Sequence, residues 1–261
     1  MRHLCSKEEL ESILDLFVSL QPMKELKRQG AIYYGERMME ADTIAGHSFT
    51  VASLAWLIAR TLRNRGHAID VKKVLEMALC HDMGEAVTGD IGTVIKQFGQ
   101  QGKARGSQKD GCESDSLDKL ESRAFAMLVE QQVSPQELTA LHTDYEKLQS
   151  LEAGIVKIAD RLDAWVHALN TPSLRPLIQA WCYYNNQTYK KLRKKGKKQN
   201  DKDFWKALAE LFRSACYGLI GRTAILLNQN EKTFHNRAWP WSGDIKNQRT
   251  VASGRPRGQR G

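Results

Sequence analysis

The chain has 261 residues, of which 41% are hydrophobic and 26% charged, ordinary values for a soluble globular protein long enough for a real core. No apolar run approaches the ~18 residues that would cross a bilayer, and the opening MRHLCSKEEL lacks the apolar stretch of a secretory leader, so we expect a cytoplasmic protein without a membrane span. The net charge of +9 is regional: eight Lys/Arg and no acid lie between Thr171 and Asn200, seven of them in Lys190–Lys198 (KKLRKKGKK), and five more lie between Lys246 and Gly261, leaving the rest slightly acidic.

The periodicity is helical almost throughout. Leu10, Ile13, Leu14 and Phe17 recur at i, i+3, i+4 and i+7 behind a capping box of Ser6 and Glu9, and Pro22 closes that helix. A second helix is expected from about His47 to Asn64, with Val51, Leu54, Ala55, Ile58 and Leu62 on one face and Gly66 as its stop. Asp70 caps a third, through Val71, Val74, Leu75, Ala78 and Leu79. Asp115 or Ser116 starts another, and Ser134-Pro135-Gln136-Glu137 reads as a cap, a proline at the first helical position and a glutamate at the third.

From Leu151 to Leu169 the pattern is apolar nearly all round, as in a buried helix, yet it contains Asp160. A buried carboxylate needs a partner; Lys157 and Arg161 are the nearest in sequence. Two more helices are expected over 173–194 and 201–227, joined by the basic loop. No strand run with turn punctuation is evident, so the predicted fold class is all-α. The segment 98–114 and the tail 228–261 are too polar to order themselves.

Chemistry concentrates in His81-Asp82-Met83-Gly84-Glu85-Ala86-Val87-Thr88-Gly89-Asp90, at the end of an apolar helix whose C-terminal dipole favours a cation. If the helix continued to Glu85, that residue would share a face with His81 and Asp82. One imidazole and one carboxylate do not close a metal site, but His47 and the buried Asp160 supply one more of each. Two nitrogen and two oxygen donors suit Mn, Fe, Co, Ni or Zn as one divalent transition metal, without choosing among them. Positions left open would take a phosphate oxygen and a water, with Glu85 or Asp90 as general base or acid. Five scattered cysteines with no CxxC pair argue against a disulfide scaffold or a four-cysteine zinc site. HExxH, GxSxG, Walker A and GxGxxG patterns are absent.

A histidine, then His-Asp, then a distant aspartate, all on helices, resembles the HD-domain phosphohydrolases. Within them the chain is most similar to the bacterial HD-domain 5′-deoxynucleotidases, through HDMGEAVTGDIGTVIKQF (His81–Phe98), His47-Ser48, and the KxAD of Lys157–Asp160. The resemblance implies that His47, His81, Asp82 and Asp160 hold one divalent metal and that Glu85 and Asp90 work beside water and substrate. It implies phosphate binding by Arg28, in an LKR segment, and by Lys96. It also implies a homodimer that hydrolyses deoxynucleoside 5′-monophosphates. Gly46 stands where relatives commonly have Glu, and no Trp follows Arg28.

The expected layout is therefore an HD helical bundle over 1–170, a C-terminal helical extension over 171–227 and a disordered basic tail over 228–261. The expected activity is phosphate removal from a nucleoside monophosphate. The alternatives are a dNTP triphosphohydrolase or phosphodiesterase of the same fold, or a regulatory protein with a degenerate site. Basic loop 190–198 would attract nucleic acid or another polyanion, although a solvated loop accounts for the same charges.

Overall fold

The computed structural model describes residues 5–32, 36–91, 114–171, 178–196 and 199–226. Regular structure among them is helical, apart from an isolated antiparallel bridge between Lys27 and Thr43, so the fold class is all-α as expected. Lys96, most of the segment expected to be loop (98–113), Lys197, Lys198 and the tail 228–261 lie outside the described residues.

Helix α1 (Lys7–Ser19) opens with the reciprocal capping box: the Glu9 amide donates to Ser6 Oγ at 3.1 Å and the Ser6 amide to Glu9 Oε2 at 2.7 Å. Pro22 falls in a 3-10 turn, Gln21–Lys24, and a single-turn helix α2 (Gln29–Ile32) follows. Helix α3 (Ile44–Asn64) begins three residues before the expected start, because Thr43 is its cap: Thr43 Oγ1 accepts from the Gly46 amide at 3.0 Å. His47 is thus inside the first turns of a buried face rather than at a helix end. Asp70 caps α4 (Val71–Cys80) as read from the sequence, accepting from the Lys73 amide at 3.0 Å.

Beyond α5 (Glu85–Thr88) come α6 (Ser114–Val129), α7 (Pro135–Lys147), α8 (Leu151–Asn170), α9 (Ile178–Arg193) and α10 (Gln199–Leu226). Ser134 is not the side-chain cap its sequence context suggested. Its backbone is left-handed (φ 56°) and its hydroxyl makes no cap bond; the first turn of α7 instead closes on the Ser134 carbonyl, which accepts from the Glu137 amide at 3.0 Å.

Internal contacts divide the chain within α8, into one unit ending at Ala164 and another beginning at Trp165. In the first, α3 packs along α4, α4 touches α7, and α6 touches α5 and α7. Ile44, Val51, Ala55 and Ala59 of α3, Val74, Met77 and Ala78 of α4, and Ile155, Ile158 and Leu162 of α8 are buried. The small residues of α3 permit the close helix approach. In the second unit α9 packs on α10 around Cys182, Leu192, Trp205, Leu208, Phe212 and Ile220. Lys190, Lys191, Arg193 and Lys194 are exposed at the end of α9, where cations also suit the helix dipole.

Asp144, buried at the end of α7, holds three elements together. It pairs with Lys73 Nζ of α4 at 2.7 Å and accepts from the amides of Gln149 at 3.2 Å and Ser150 at 2.8 Å, just before α8. Burial pushes its carboxyl pKa up, but the Lys73 ammonium and the Ser150 amide outweigh that and hold it below the usual range. Asp144→Asn is expected to lose about 1–3 kcal/mol in urea unfolding near neutral pH. Because the folded pKa is depressed, the stabilisation is complete above the unfolded value of about 4 and is lost as pH falls through the folded one. The gap between the two proteins should therefore narrow in acid.

Candidate metal centre and active site

The site is assembled from four places in the chain. The segment before α3 is pinned by backbone pairing: the Arg28 amide donates to the Asp42 carbonyl at 2.9 Å and the Ile44 amide to the Leu26 carbonyl at 3.0 Å. That brings Arg28 to the start of the helix that carries His47. Helix α4 stops at Cys80, with His81 as its cap residue, so Glu85 does not continue it. A tight turn follows, with the Met83 amide donating to Cys80 and the Glu85 amide to Asp82, and Glu85 opens α5. Gly84 allows that turn to press against α6: a Cβ there would lie 2.6 Å from the Glu121 carbonyl oxygen. Helix α8 supplies Asp160.

Three donors converge. Ligand atoms of His47, His81 and Asp160 all lie within 4.8 Å of one another, and all three residues are buried. Asp82 joins them from the side, its Oδ2 3.5 Å from His47 Nε2 and 3.1 Å from His81 Nε2. Asp160 Oδ1 is 3.6 Å from His47 Nε2. Each imidazole has its other nitrogen occupied: His81 Nδ1 donates to the Ala78 carbonyl at 2.8 Å, and His47 Nδ1 faces Asp163 Oδ2 at 2.6 Å. Both Nε2 atoms are buried and have no hydrogen-bond partner. Two orphaned imidazole nitrogens aimed at two carboxylates form a donor set that could hold a metal ion, since a buried polar atom left alone is costly.

The electrostatics agree. Burial opposes ionisation of Asp82, yet His81, His47 and Arg28 hold its pKa well below the carboxylate range. Asp160 is likewise held low against its burial by Lys157, His47 and Arg161. Burial and Arg28 work against the charged form of His47, but the nearby Asp160 carboxylate, the hydrogen bond with Asp163 and the charge of Asp82 prevail and raise its pKa. Glu85 goes the other way: burial, Asp82 and Asp90 push its carboxyl up to about 10. Arg28 is half-buried among this group; desolvation works against its charge, but Asp82, Asp160, Asp90 and Glu85 raise its pKa above the ordinary value. Its Nη1 has no hydrogen-bond partner. Asp90 accepts from the Gly30 amide at 3.2 Å, which ties it to the same segment as Arg28.

The structure thus brings together His47, His81, Asp82, Asp160, Glu85, Asp90 and Arg28, seven of the eight residues singled out in the sequence; the eighth, Lys96, lies outside the described residues. It also adds supports. Asp160 Oδ2 accepts from Lys157 Nζ at 2.9 Å and from the Tyr145 hydroxyl at 3.0 Å, leaving Oδ1 toward His47. Lys157 was legible as a partner of Asp160; Tyr145 was not singled out in the sequence. Asp163 was missed, although its spacing from Asp160 on one helix is i+3 and was a usable signal. At Gly46, a Cβ would lie 2.5 Å from Asp42 Oδ1, so the Asp42 carboxylate occupies the space into which a glutamate side chain would start.

An all-helical body with a buried His, His-Asp and Asp set defines the class. The HD domain family model matches residues 20–208, and the chain belongs to that family. Among curated relatives it is similar to a 5′-deoxynucleotidase of Dictyostelium discoideum, 24% identical over 161 residues, which cover 61% of this chain and 77% of the relative. It is also similar to a 5′-deoxynucleotidase of Escherichia coli, 26% identical over 135 residues, covering 51% of this chain and 62% of that protein. The match thus spans under two thirds of the bacterial relative. Among solved structures, a protein of Pyrococcus horikoshii is 26% identical with a TM-score of 0.52, covering 78% of this chain and 98% of its own. A predicted metal-dependent phosphohydrolase of Magnetospirillum magnetotacticum, 19% identical with a TM-score of 0.52, covers 83% and 97% and shares the fold. Among the described residues no helix is long and apolar enough to cross a membrane.

Proposed function

We propose that this chain is a metal-dependent phosphohydrolase that removes the 5′-phosphate from (deoxy)nucleoside monophosphates, working in the cytoplasm as a homodimer. The observation that carries the reading is the pair of buried, unpartnered Nε2 atoms of His47 and His81 facing Asp82 and Asp160. The two 5′-deoxynucleotidase relatives support the substrate class.

His47, His81, Asp82 and Asp160 would hold one divalent ion. When bound, such an ion lowers the pKa of water and offsets phosphate charge. Arg28, with a free buried N–H, binds phosphate oxygens through charge-assisted hydrogen bonds. Water oxygen forms the new bond to phosphorus while the bond from phosphorus to O5′ breaks. Asp90 takes the proton from the water. Glu85, which keeps its proton up to about 10, gives it to O5′. The products are nucleoside and inorganic phosphate.

The test is a panel of dNMPs, NMPs and dNTPs with added Mn²⁺, Co²⁺ or Zn²⁺. Inorganic phosphate from dNMPs is the expected result. Triphosphate release from dNTPs alone would replace the reading with a triphosphohydrolase, and no turnover with any metal would end it.

A further inference from the structure

We propose that Asp163 is a positioning residue for the metal centre: it holds the Nδ1 proton of His47 and thereby turns the Nε2 lone pair toward the ion. The inference rests on the reading of His47 as a ligand and concerns how that ligand is made ready.

The imidazole of His47 has no exposure to solvent, so protein atoms alone decide its tautomer and ring angle. On one side, Nδ1 meets Asp163 Oδ2 at 2.6 Å, the short distance of a charge-assisted bond. A carboxylate accepts, so the proton of the neutral ring sits on Nδ1. On the other side, Nε2 faces Asp82 Oδ2 and Asp160 Oδ1 at 3.5 and 3.6 Å, both too long for a good hydrogen bond, and has no partner. A ring placed only for packing would leave its second nitrogen paired or solvated. This one is fixed at its far nitrogen and left bare at the near one.

His81 shows the same division by a different device. Its Nδ1 proton goes to the Ala78 carbonyl on its own helix, and its Nε2 is also bare. His47, in the first turns of α3, instead draws its acceptor from α8. That helix therefore carries a ligand, Asp160, and one turn later the group that orients a second ligand. Lys157, three residues before Asp160, ties down the oxygen that Asp160 turns away from His47. Lys157, Asp160 and Asp163 form a ladder at i, i+3 and i+6 on one helix face. Second carboxylates of this kind fix the imidazole tautomer and raise its basicity, and their loss typically weakens metal affinity about 10- to 100-fold.

The experiment uses the full-length protein and Mn²⁺ alone as the probe. Calorimetric affinities are compared for wild type, Asp163→Ala, Asp163→Asn and His47→Ala, and ¹⁵N spectra of the metal-free proteins, recorded at a pH high enough to leave the ring neutral, report the His47 tautomer. Asp163→Ala should weaken Mn²⁺ binding about 10- to 100-fold and shift the His47 ring toward the Nε2–H form. Asp163→Asn, whose carbonyl still accepts from Nδ1–H, should keep the tautomer and lose less affinity; it also carries the test if the alanine variant folds poorly. Unchanged affinity and tautomer in Asp163→Ala, with binding lost in His47→Ala, would overturn this proposal and leave the metal centre standing. Unchanged affinity in His47→Ala would overturn both.

Discussion

Asp82→Ala is expected to reduce phosphate release from deoxynucleoside monophosphates by at least about 10³-fold, which corresponds to about 4 kcal/mol of transition-state stabilisation. Asp82 Oδ2 is the carboxylate oxygen nearest both imidazole Nε2 atoms, and although it is half-buried its pKa is held low. Its removal takes away one donor and also the charge that faces Arg28. The alanine protein should keep its helical circular dichroism, because the turn at 81–84 is held by backbone bonds and by the packing of Cys80 and Met83 against Phe125 and Val129. Phosphate release and Mn²⁺ affinity measured together decide the matter. Wild-type turnover in the variant would remove Asp82 from the site.

Glu85→Gln is the second large effect. If Glu85 moves the proton to the leaving oxygen, turnover should fall by roughly 10²- to 10⁴-fold, while metal affinity changes far less, because Glu85 is not among the converging donors. Stability should move in the opposite direction. The Glu85 carboxyl is raised to about 10, so the fold disfavours its charged form. An unfolded Glu ionises near 4.3, so the cost to the folded state begins there and grows as pH rises toward the folded value. Glutamine removes that cost. The metal-free variant should gain roughly 1–3 kcal/mol near neutral pH and little below pH ~4. Loss of activity with a gain in thermal stability would fit a group held in an unfavourable state for its chemistry. Equal stability at pH 4 and 7 would count against the raised pKa.

Much of the fold was legible because it is made of local signals. The capping box of Ser6 and Glu9 and the cap at Asp70 act over three or four residues, and the structure shows both. The starts of α3 and α7 were less legible. Thr43 was overlooked as a cap because three residues separate it from the first chemically conspicuous side chain, His47. Ser134 has the composition of a cap, but its left-handed backbone puts the hydroxyl to no such use. The break between α4 and α5 was not legible either: Gly84 could sit in a helix, and only the close pass of the Glu121 carbonyl gives it a reason.

The site divides in the same way. Residue chemistry alone nominated His47, His81, Asp82 and Asp160, since together they supply two nitrogen and two oxygen donors that suit one divalent ion. Family resemblance added Arg28. Sequence also determined the helical class, the caps at the starts of α1 and α4, and the regional concentration of positive charge, because propensity, hydrophobic period and net charge are properties of the chain itself. Tertiary structure alone decided that residues 47, 81 and 160 converge with their Nε2 and carboxylate oxygens inward, that Asp163 holds the far nitrogen of His47, and that burial with Asp82 and Asp90 nearby raises the Glu85 pKa. Those are matters of distance and desolvation, in part between segments far apart in the chain, and both quantities exist only once the helices have packed.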